Sequence, residues 1–506
     1  MKNFVNSATR LRATHLLLLL TLTITLYSPP CPLTKAASSS TQELLPGFKA
    51  RPDPSTASFQ PLLHDPTGAL SLGFLRTNRT LLSLAVLHLP SSEPLWVSDP
   101  TRFSRWSDKT ELSFNNGSLV ISDPGSRVVW STPNSLGGDR VVLLNSSNLQ
   151  IQKKENDGGF SVVWQSFDFP GSTLVEGQNF TDAMALVSGN GLYSMRLGKD
   201  FMGLYAAFKT GSEQIYWKHT AMEAKADIIE GKGPIYALVN PDGYLGMYQN
   251  GTGPPVDVQP FTNFQRPVNG LLIVRLEPDG NLKGYYWDGS KWVFNYQAIS
   301  DTCELPSPCG LYGLCNSGSG CSCLDNRTEY ASAGCLSAES GSGNFCGDVV
   351  AEDDFWVLRR KGVELPFKEL MRHETASSLE ECEDTCEKNC SCWGAVYSNS
   401  SGFCYTVDFP IQTLLSVGDE TKVGYFKVRK GARKGRVGVL LRAMIGVLIG
   451  VVLVFVGFIG FVVYKAWMRR RGVKGFFDDD QTGGVSPGPY KDLGSASFRS
   501  LEMCNR

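Results

Sequence analysis

Short apolar runs bounded by Gly, Asn, Asp and Pro recur across residues 45–300 and predict β-strands, among them Ser118-Leu-Val-Ile121 and Val141-Val-Leu-Leu144. Nothing in 180–300 has helical length or period. Three tryptophans stand at a constant interval of 34 residues: Trp96 in Pro-Leu-Trp-Val, Trp130 in Val-Val-Trp-Ser and Trp164 in Val-Val-Trp-Gln. A strand-built unit of that length cannot bury its own face. The repeat therefore predicts a threefold arrangement in which three aromatic rings meet around one axis; the alternative is coincidence among ten tryptophans. Further along, Pro241-Asp-Gly-Tyr-Leu-Gly-Met-Tyr248 is echoed by Pro278-Asp-Gly-Asn-Leu-Lys-Gly-Tyr285. Asp-Gly supplies the positive φ of tight hairpins, so 180–300 reads as a second sheet-rich domain related in design to the first.

Two longer apolar runs have a different character. Residues 1–37 carry a basic start (Lys2, Arg10, Arg12), an apolar Leu16–Leu26 and small residues near Ala36 and Ala37, as a secretory signal does. The run is too unbroken for an amphipathic targeting peptide and too short for an anchor. Ala443–Val463 has 21 residues without a charge. At about 1.5 Å per residue it spans the hydrocarbon core of about 30 Å, so 443–464 is expected to be a single transmembrane helix. Basic residues flank it on both sides, so charge does not orient it. The signal, the cysteines and eight Asn-x-Ser/Thr sequons ahead of the span place the ectodomain outside: Asn78, Asn116, Asn145, Asn179, Asn250, Asn326, Asn389 and Asn399. The expected product is a single-pass type I plasma-membrane glycoprotein. Its cytoplasmic tail, 465–506, is too short for a kinase domain.

A net charge of -1 removes the electrostatic footprint of a nucleic-acid binder. Cysteine usage divides the chain. None lies between Cys31 and Cys303, whereas twelve fall between Cys303 and Cys404, a pattern suited to disulfides in an oxidising compartment. Cys303, Cys309, Cys315, Cys321, Cys323 and Cys335 form one loop-rich framework with fifteen conceivable pairings. Zinc is not expected, because paired Cys-x2-Cys units are absent, and Asp301 with Glu304 makes a poor calcium set. Cys346, Cys382, Cys386, Cys390, Cys392 and Cys404 form the second group. There Ser377 or Ser378 is expected to cap a helix from about Leu379 whose Cys382 and Cys386 share one face, tying it to a sheet that includes Trp393–Tyr397 and Gly424–Val428. From Lys427 onwards the chain reads as a basic stalk.

No enzyme is expected. After the signal only His64, His88, His219 and His373 remain, widely spaced, and Asp242 and Asp279 are explained by their Asp-Gly turns. The Gly-Ser-Gly runs at 318–320 and 341–343 lack the lysine of a phosphate loop. No cofactor and no metal are expected.

These residues resemble the ectodomain of plant S-domain receptor kinases and S-locus glycoproteins. Leu72-Gly-Phe74, Leu95-Trp-Val97, Asn116-Gly-Ser-Leu-Val120, Val129-Trp-Ser-Thr132 and Trp164-Gln-Ser-Phe-Asp-Phe-Pro170 follow the order of the bulb-type mannose lectin. The resemblance implies a mainly β chain. It would have a threefold β-prism at 45–175, an S-locus-glycoprotein-like domain at 180–300, an EGF-like module at 303–335 and a PAN/apple α+β module at 346–427. The Cys-x3-Cys-x3-Cys-Ser-Cys run at 382–392 carries the last of these. The overall pattern is similar to kinase-less, membrane-anchored PAN domain-containing plant proteins.

Bulb lectins hold mannose with Gln-x-Asp-x-Asn-x-Val-x-Tyr. The matching positions are Phe114, Asn116, Ser118, Val120 and Ser122 on one strand, and Leu144, Ser146, Asn148, Gln150 and Gln152 on another. Only Val120 and Asn148 agree strictly, and Phe114 replaces a hydrogen-bonding Gln, so mannose binding by the inherited mechanism is not expected there. The candidate ligand-binding residues are Asn116, Ser118, Val120, Asn148, Gln150 and Gln152. Two functions follow from the resemblance. One is a receptor-like subunit, coreceptor or decoy, that recognises extracellular protein or peptide partners and associates laterally with receptor ectodomains. The other is a cell-surface lectin with a glycan ligand.

Overall fold

Each of the three spaced tryptophans sits on an edge strand of its own antiparallel sheet, five-stranded for Trp96 and four-stranded for Trp130 and Trp164. A computed structural model describes residues 42–133, 137–221, 235–249, 253–261, 270–325, 328–331, 334–335, 345, 355–429, 450 and 454–467. The first sheet runs Phe59–His64, Leu70–Arg76, Leu81–His88, Glu93–Val97, with Ser104–Arg105 also paired to the start of Leu81–His88. The second runs Phe48–Ala50, Glu111–Asn115, Ser118–Asp123, Arg127–Ser131. The third runs Glu43–Leu44, Arg140–Leu143, Leu149–Lys154, Phe160–Gln165. Alternation turns Leu72, Phe74, Phe114, Leu119, Leu149 and Ile151 into one fully buried core. Trp96, Trp130 and Trp164 meet edge-to-face with centroids 6.0, 6.1 and 6.3 Å apart. The threefold packing expected from their spacing is the one the prism adopts.

A second body of three four-stranded sheets follows. One contains Thr173–Val175, Leu272–Leu276, Leu282–Trp287 and Trp292–Gln297. Another contains Asn179–Phe180, Tyr236–Asn240, Tyr244–Tyr248 and Asp257–Pro260. The last contains Leu186–Val187, Tyr193–Leu197, Phe201–Lys209 and Ser212–Thr220. Both Asp-Gly pairs are hairpin turns, with Gly243 at φ 94° and Gly280 at φ 87°, the left-handed region that a side chain would strain.

The first of these sheets is buried on both faces. Leu174, Leu272 and Val274 enter the core of the second body, while Val175 and Ile273 enter that of the prism. This is why Leu271-Leu-Ile-Val274 is an unbroken apolar run rather than an alternating one. Around this contact Arg275 pairs with Glu93 at 2.5 Å, and the His88 ring packs against Trp287 and Trp292 at 5.0 and 5.7 Å. Burial holds His88 below the usual imidazole range.

The cysteine-rich region is continuous with the second body, since one apolar core runs from Leu174 to Val428. Disulfides join Cys303 to Cys315, Cys309 to Cys321 and Cys323 to Cys335. Strand Gly313–Asn316 pairs in parallel with Leu414–Ser416, so the small loops share a sheet with the module that follows. That module is a five-stranded sheet, Phe355–Lys361, Lys422–Arg429, Gly394–Ser398, Phe403–Val407, Glu374–Thr375, with one helix, Leu379–Lys388. Ser378 is its N-cap, its Oγ accepting the Glu381 N–H at 3.3 Å, and the Glu381 carboxylate accepts the Ser377 N–H at 2.7 Å. Ser378→Ala is expected to cost about 1 kcal/mol in urea unfolding. Cys382, buried on the inner face of the helix, bonds to Cys404 of the sheet, and Cys386 bonds to Cys392. Cys390 is also disulfide-bonded; Cys346 lies outside the described residues.

The basic stalk begins later than the sequence suggests. Lys427 and Arg429 belong to strand Lys422–Arg429. Lys427 is 1% exposed, and its Nζ donates to the Cys386 and Asn389 carbonyls at 2.9 and 3.3 Å, closing the C-terminus of the helix. The Arg429 guanidinium lies over the Phe345 ring at 5.1 Å.

Residues 1–433 form one unit and 434–506 another. In the second, 454–467 is helical with exposed Val454, Phe455, Phe458 and Phe461. No helix among the described residues is long and apolar enough to cross a membrane. The expected signal at 1–37, residues 443–449 and 451–453 of the expected span and the expected tail beyond 467 lie outside the described residues.

Candidate ligand-recognition site

On the third prism sheet, alternation along Leu149–Lys154 sends Leu149 and Ile151 inward and leaves Gln150 and Gln152 on the outer face beside Asn148. They form a chain of amides. Arg140 Nε donates to Gln152 Oε1 at 2.9 Å, and Gln152 Nε2 donates to Gln150 Oε1 at 2.8 Å. Gln165 Oε1, from the neighbouring strand, accepts Asn148 Nδ2 at 2.8 Å and Gln150 Nε2 at 3.5 Å. Gln165 Nε2 in turn donates to Asp168 at 2.9 Å. The Arg140 guanidinium lies 3.4 Å above the Phe160 ring. Asn148 and Gln150 are buried beneath these neighbours. A primary amide offers two donors and two lone pairs, so the chain retains some capacity for ligand hydroxyls after its internal bonds are made.

Gln165, Asp168 and Arg140 were missed in the sequence. The available signal was register: Gln165 is the cross-strand partner of Gln150, and Arg140 that of Gln152.

The other matching strand is spent on structure. Asn116 and Gly117 make a two-residue hairpin turn, both at positive φ, 51° and 73°. Phe114 is core. Ser118, 2% exposed, donates to the Thr132 carbonyl at 2.8 Å, while Thr132 Oγ1 accepts the Leu119 N–H at 3.0 Å. Ser166 performs the same task for the Leu149 N–H at 2.9 Å. Val120 is half-buried. Thus Asn148, Gln150 and Gln152 come together, and Asn116, Ser118 and Val120 stand apart from them on another sheet.

Six sequon asparagines, Asn78, Asn116, Asn145, Asn179, Asn389 and Asn399, are exposed; Asn250 and Asn326 lie outside the described residues. The sulfurs of Cys309, Cys315 and Cys321 lie within 4.8 Å of one another, yet disulfides consume all three, leaving no thiolate for a metal. His219 Nε2 lies 2.6 Å from Asp257, a pair 38 positions apart that only the fold brings together. Its other polar neighbour is Gln259 at 2.8 Å, and no hydroxyl or thiol nucleophile bonds to it among the described residues.

Three family models match the chain: D-mannose binding lectin over 94–196, S-locus glycoprotein domain over 259–327 and PAN domain over 359–427. A PAN domain-containing protein of Arabidopsis thaliana is 56% identical over 470 residues, 92% of each chain. The chain belongs to this PAN domain-containing protein family. A G-type lectin S-receptor-like serine/threonine-protein kinase of Arabidopsis thaliana is 27% identical across 68% of this chain and 40% of its own. EP1-like glycoprotein 4 from the same plant is 25% identical across 68% of this chain and 80% of its own. The three matched modules of this PAN domain-containing chain are not catalytic families.

Proposed function

We propose that the protein is a non-catalytic cell-surface receptor-like glycoprotein that recognises an extracellular protein or peptide, acting as a coreceptor or decoy beside receptor ectodomains. On this reading 1–37 is removed, 443–464 crosses the plasma membrane, the exposed sequons carry glycans, and 303–335 is an EGF-like module between S-locus-type and PAN modules. The observation that carries it is the use of the inherited sugar positions for internal bonds: Phe114 in the core, Ser118 on Thr132, Asn148 on Gln165. Non-catalytic lectin, S-locus glycoprotein and PAN modules support an extracellular recognition role.

The second reading, a mannose-type lectin, draws on the amide chain from Asn148 to Gln152. Immobilised mannan separates the two, using the full chain in detergent after enzymatic deglycosylation. The expected result is no retention that mannose competes. Mannose-competable retention abolished by Asn148→Ala or Gln150→Ala would establish the lectin reading instead. Cross-linking at the plant cell surface followed by mass spectrometry is expected to recover a receptor ectodomain.

A further inference from the structure

The three axial tryptophans of the prism have no full counterpart in the second body. In the prism Trp130 pairs with Ile121, three residues past Ser118, Trp164 pairs with Ile151, three past Asn148, and Trp96 pairs with Val86. The same register in the second body is Leu204 with Trp217, Met247 with Asp257 and Gly284 with Tyr296. That body folds its three sheets with one tryptophan, one carboxylate and one phenol where the prism has three indoles. The indole cluster is thus particular to the prism.

The cluster opens into a cavity of about 330 Å³ lined by Trp96, Trp130, Trp164, Phe169, Pro133 and the Ser98–Ser131–Thr132 hydroxyl side. Phe169, 54% exposed, stacks on Trp164 and stands at the rim. Trp96 Nε1 donates to the Phe169 carbonyl at 2.9 Å and fixes the rim in place. The indole N–H groups of Trp130 and Trp164 have no acceptor among the described residues, and neither is sealed from solvent. The lining contains no carboxylate, amide, amine or guanidinium. Sugar hydroxyls are ordinarily fixed by such groups, so their absence disfavours a saccharide. A neutral ligand with an apolar ring and adjacent carbonyl acceptors satisfies both the aromatic walls and the two free donors. An X-Pro segment in extended polyproline conformation has that chemistry and is preorganised for it.

We propose that the axial tryptophan bowl of the prism binds a proline ring of an extended peptide, with Trp130 and Trp164 donating to its backbone carbonyls. This rests on the protein-partner reading above and names the chemistry of the partner. The test uses the full chain in detergent micelles with acetylated decaproline amide as probe, followed by tryptophan fluorescence and calorimetry. Saturable binding is expected, weakened about tenfold by Trp130→Phe, which keeps the ring and removes the N–H, and also weakened by Phe169→Ala at the rim. Unchanged melting temperatures of both variants confirm that the fold persists. Absence of saturable binding, binding indifferent to Trp130→Phe, or equal competition by methyl hexopyranosides would each overturn the proposal. The two failures are distinguishable: a receptor cross-link that survives Trp130→Phe overturns the bowl as its docking point and leaves the receptor-like reading standing, whereas mannose-competable mannan retention overturns the reading itself.

Discussion

Lys427→Ala is expected to destabilise the PAN module by about 3–4 kcal/mol, combining the loss of a fully buried side chain with two helix-end carbonyls left unpaired. The ammonium bonds the Cys386 and Asn389 carbonyls and lies 5.5 and 5.4 Å over the Phe345 and Phe355 rings. It supplies positive charge where the helix macrodipole is negative. Lys427→Met retains most of the volume and is expected to cost about 2 kcal/mol, the share owed to the carbonyls. Urea midpoints of the disulfide-intact protein measure both, with hydrogen exchange across 379–388 localising the effect. The pH dependence has a definite sign. Burial holds the Lys427 pKa below its ordinary value of 10.5. The unfolded chain therefore binds this proton more tightly, and the residue's contribution to stability rises with pH from the depressed value up to about 10.5. The difference between the wild type and Lys427→Met should grow through that window. A Lys427→Ala midpoint within the range of surface substitutions would remove the lysine from the helix terminus.

The prism was legible because its information is local. Strand alternation and the Trp96, Trp130, Trp164 interval can both be read along the chain with no knowledge of tertiary contacts. The helix was legible too, since Ser378 and Glu381 signal its start and Cys382 and Cys386 mark its inner face. Lys427 was not. It opens a run of basic residues, and the carbonyls that need it belong to a helix about 40 positions earlier in the chain, brought near only by the tertiary fold. Gln165 was hidden for a related reason. It opposes Gln150 across a bulge between Ile151 and Gln152, and a one-residue change in pairing would have sent it to the other face. The three-sheet design of the second body left no periodic tryptophan trace, since the register positions compared with the prism hold Trp217, Asp257 and Tyr296. Strand Thr173–Val175 follows the prism in sequence yet hydrogen-bonds to Leu272–Leu276, a partner that no local pattern could select.

Ile273→Ala is expected to cost about 3–4 kcal/mol, and its effect should be felt in two bodies at once. Ile273 is 1% exposed and sits on a strand whose alternate residues enter different cores: Leu272 and Val274 in one, Ile273 in the other with Val175 beside it. Removing its side chain opens a void on the prism side while leaving the ladder and the opposite core intact. The nearby Arg275–Glu93 pair and the His88–Trp287–Trp292 cluster would then lose the apolar floor they rest on. Calorimetry of the full chain is expected to show earlier melting of the prism together with the second body. Val239→Ala, in the second core alone, should leave the prism transition in place. Val175→Ala combined with Ile273→Ala should be non-additive by at least about 0.5 kcal/mol, because the two side chains border the same void. Strict additivity, or an Ile273→Ala shift confined to the second body, would mean that the prism is attached through its polar contacts alone. A shared sheet with two apolar faces predicts the opposite: the prism is held to the second body, whose core continues into the cysteine-rich modules, by hydrophobic burial.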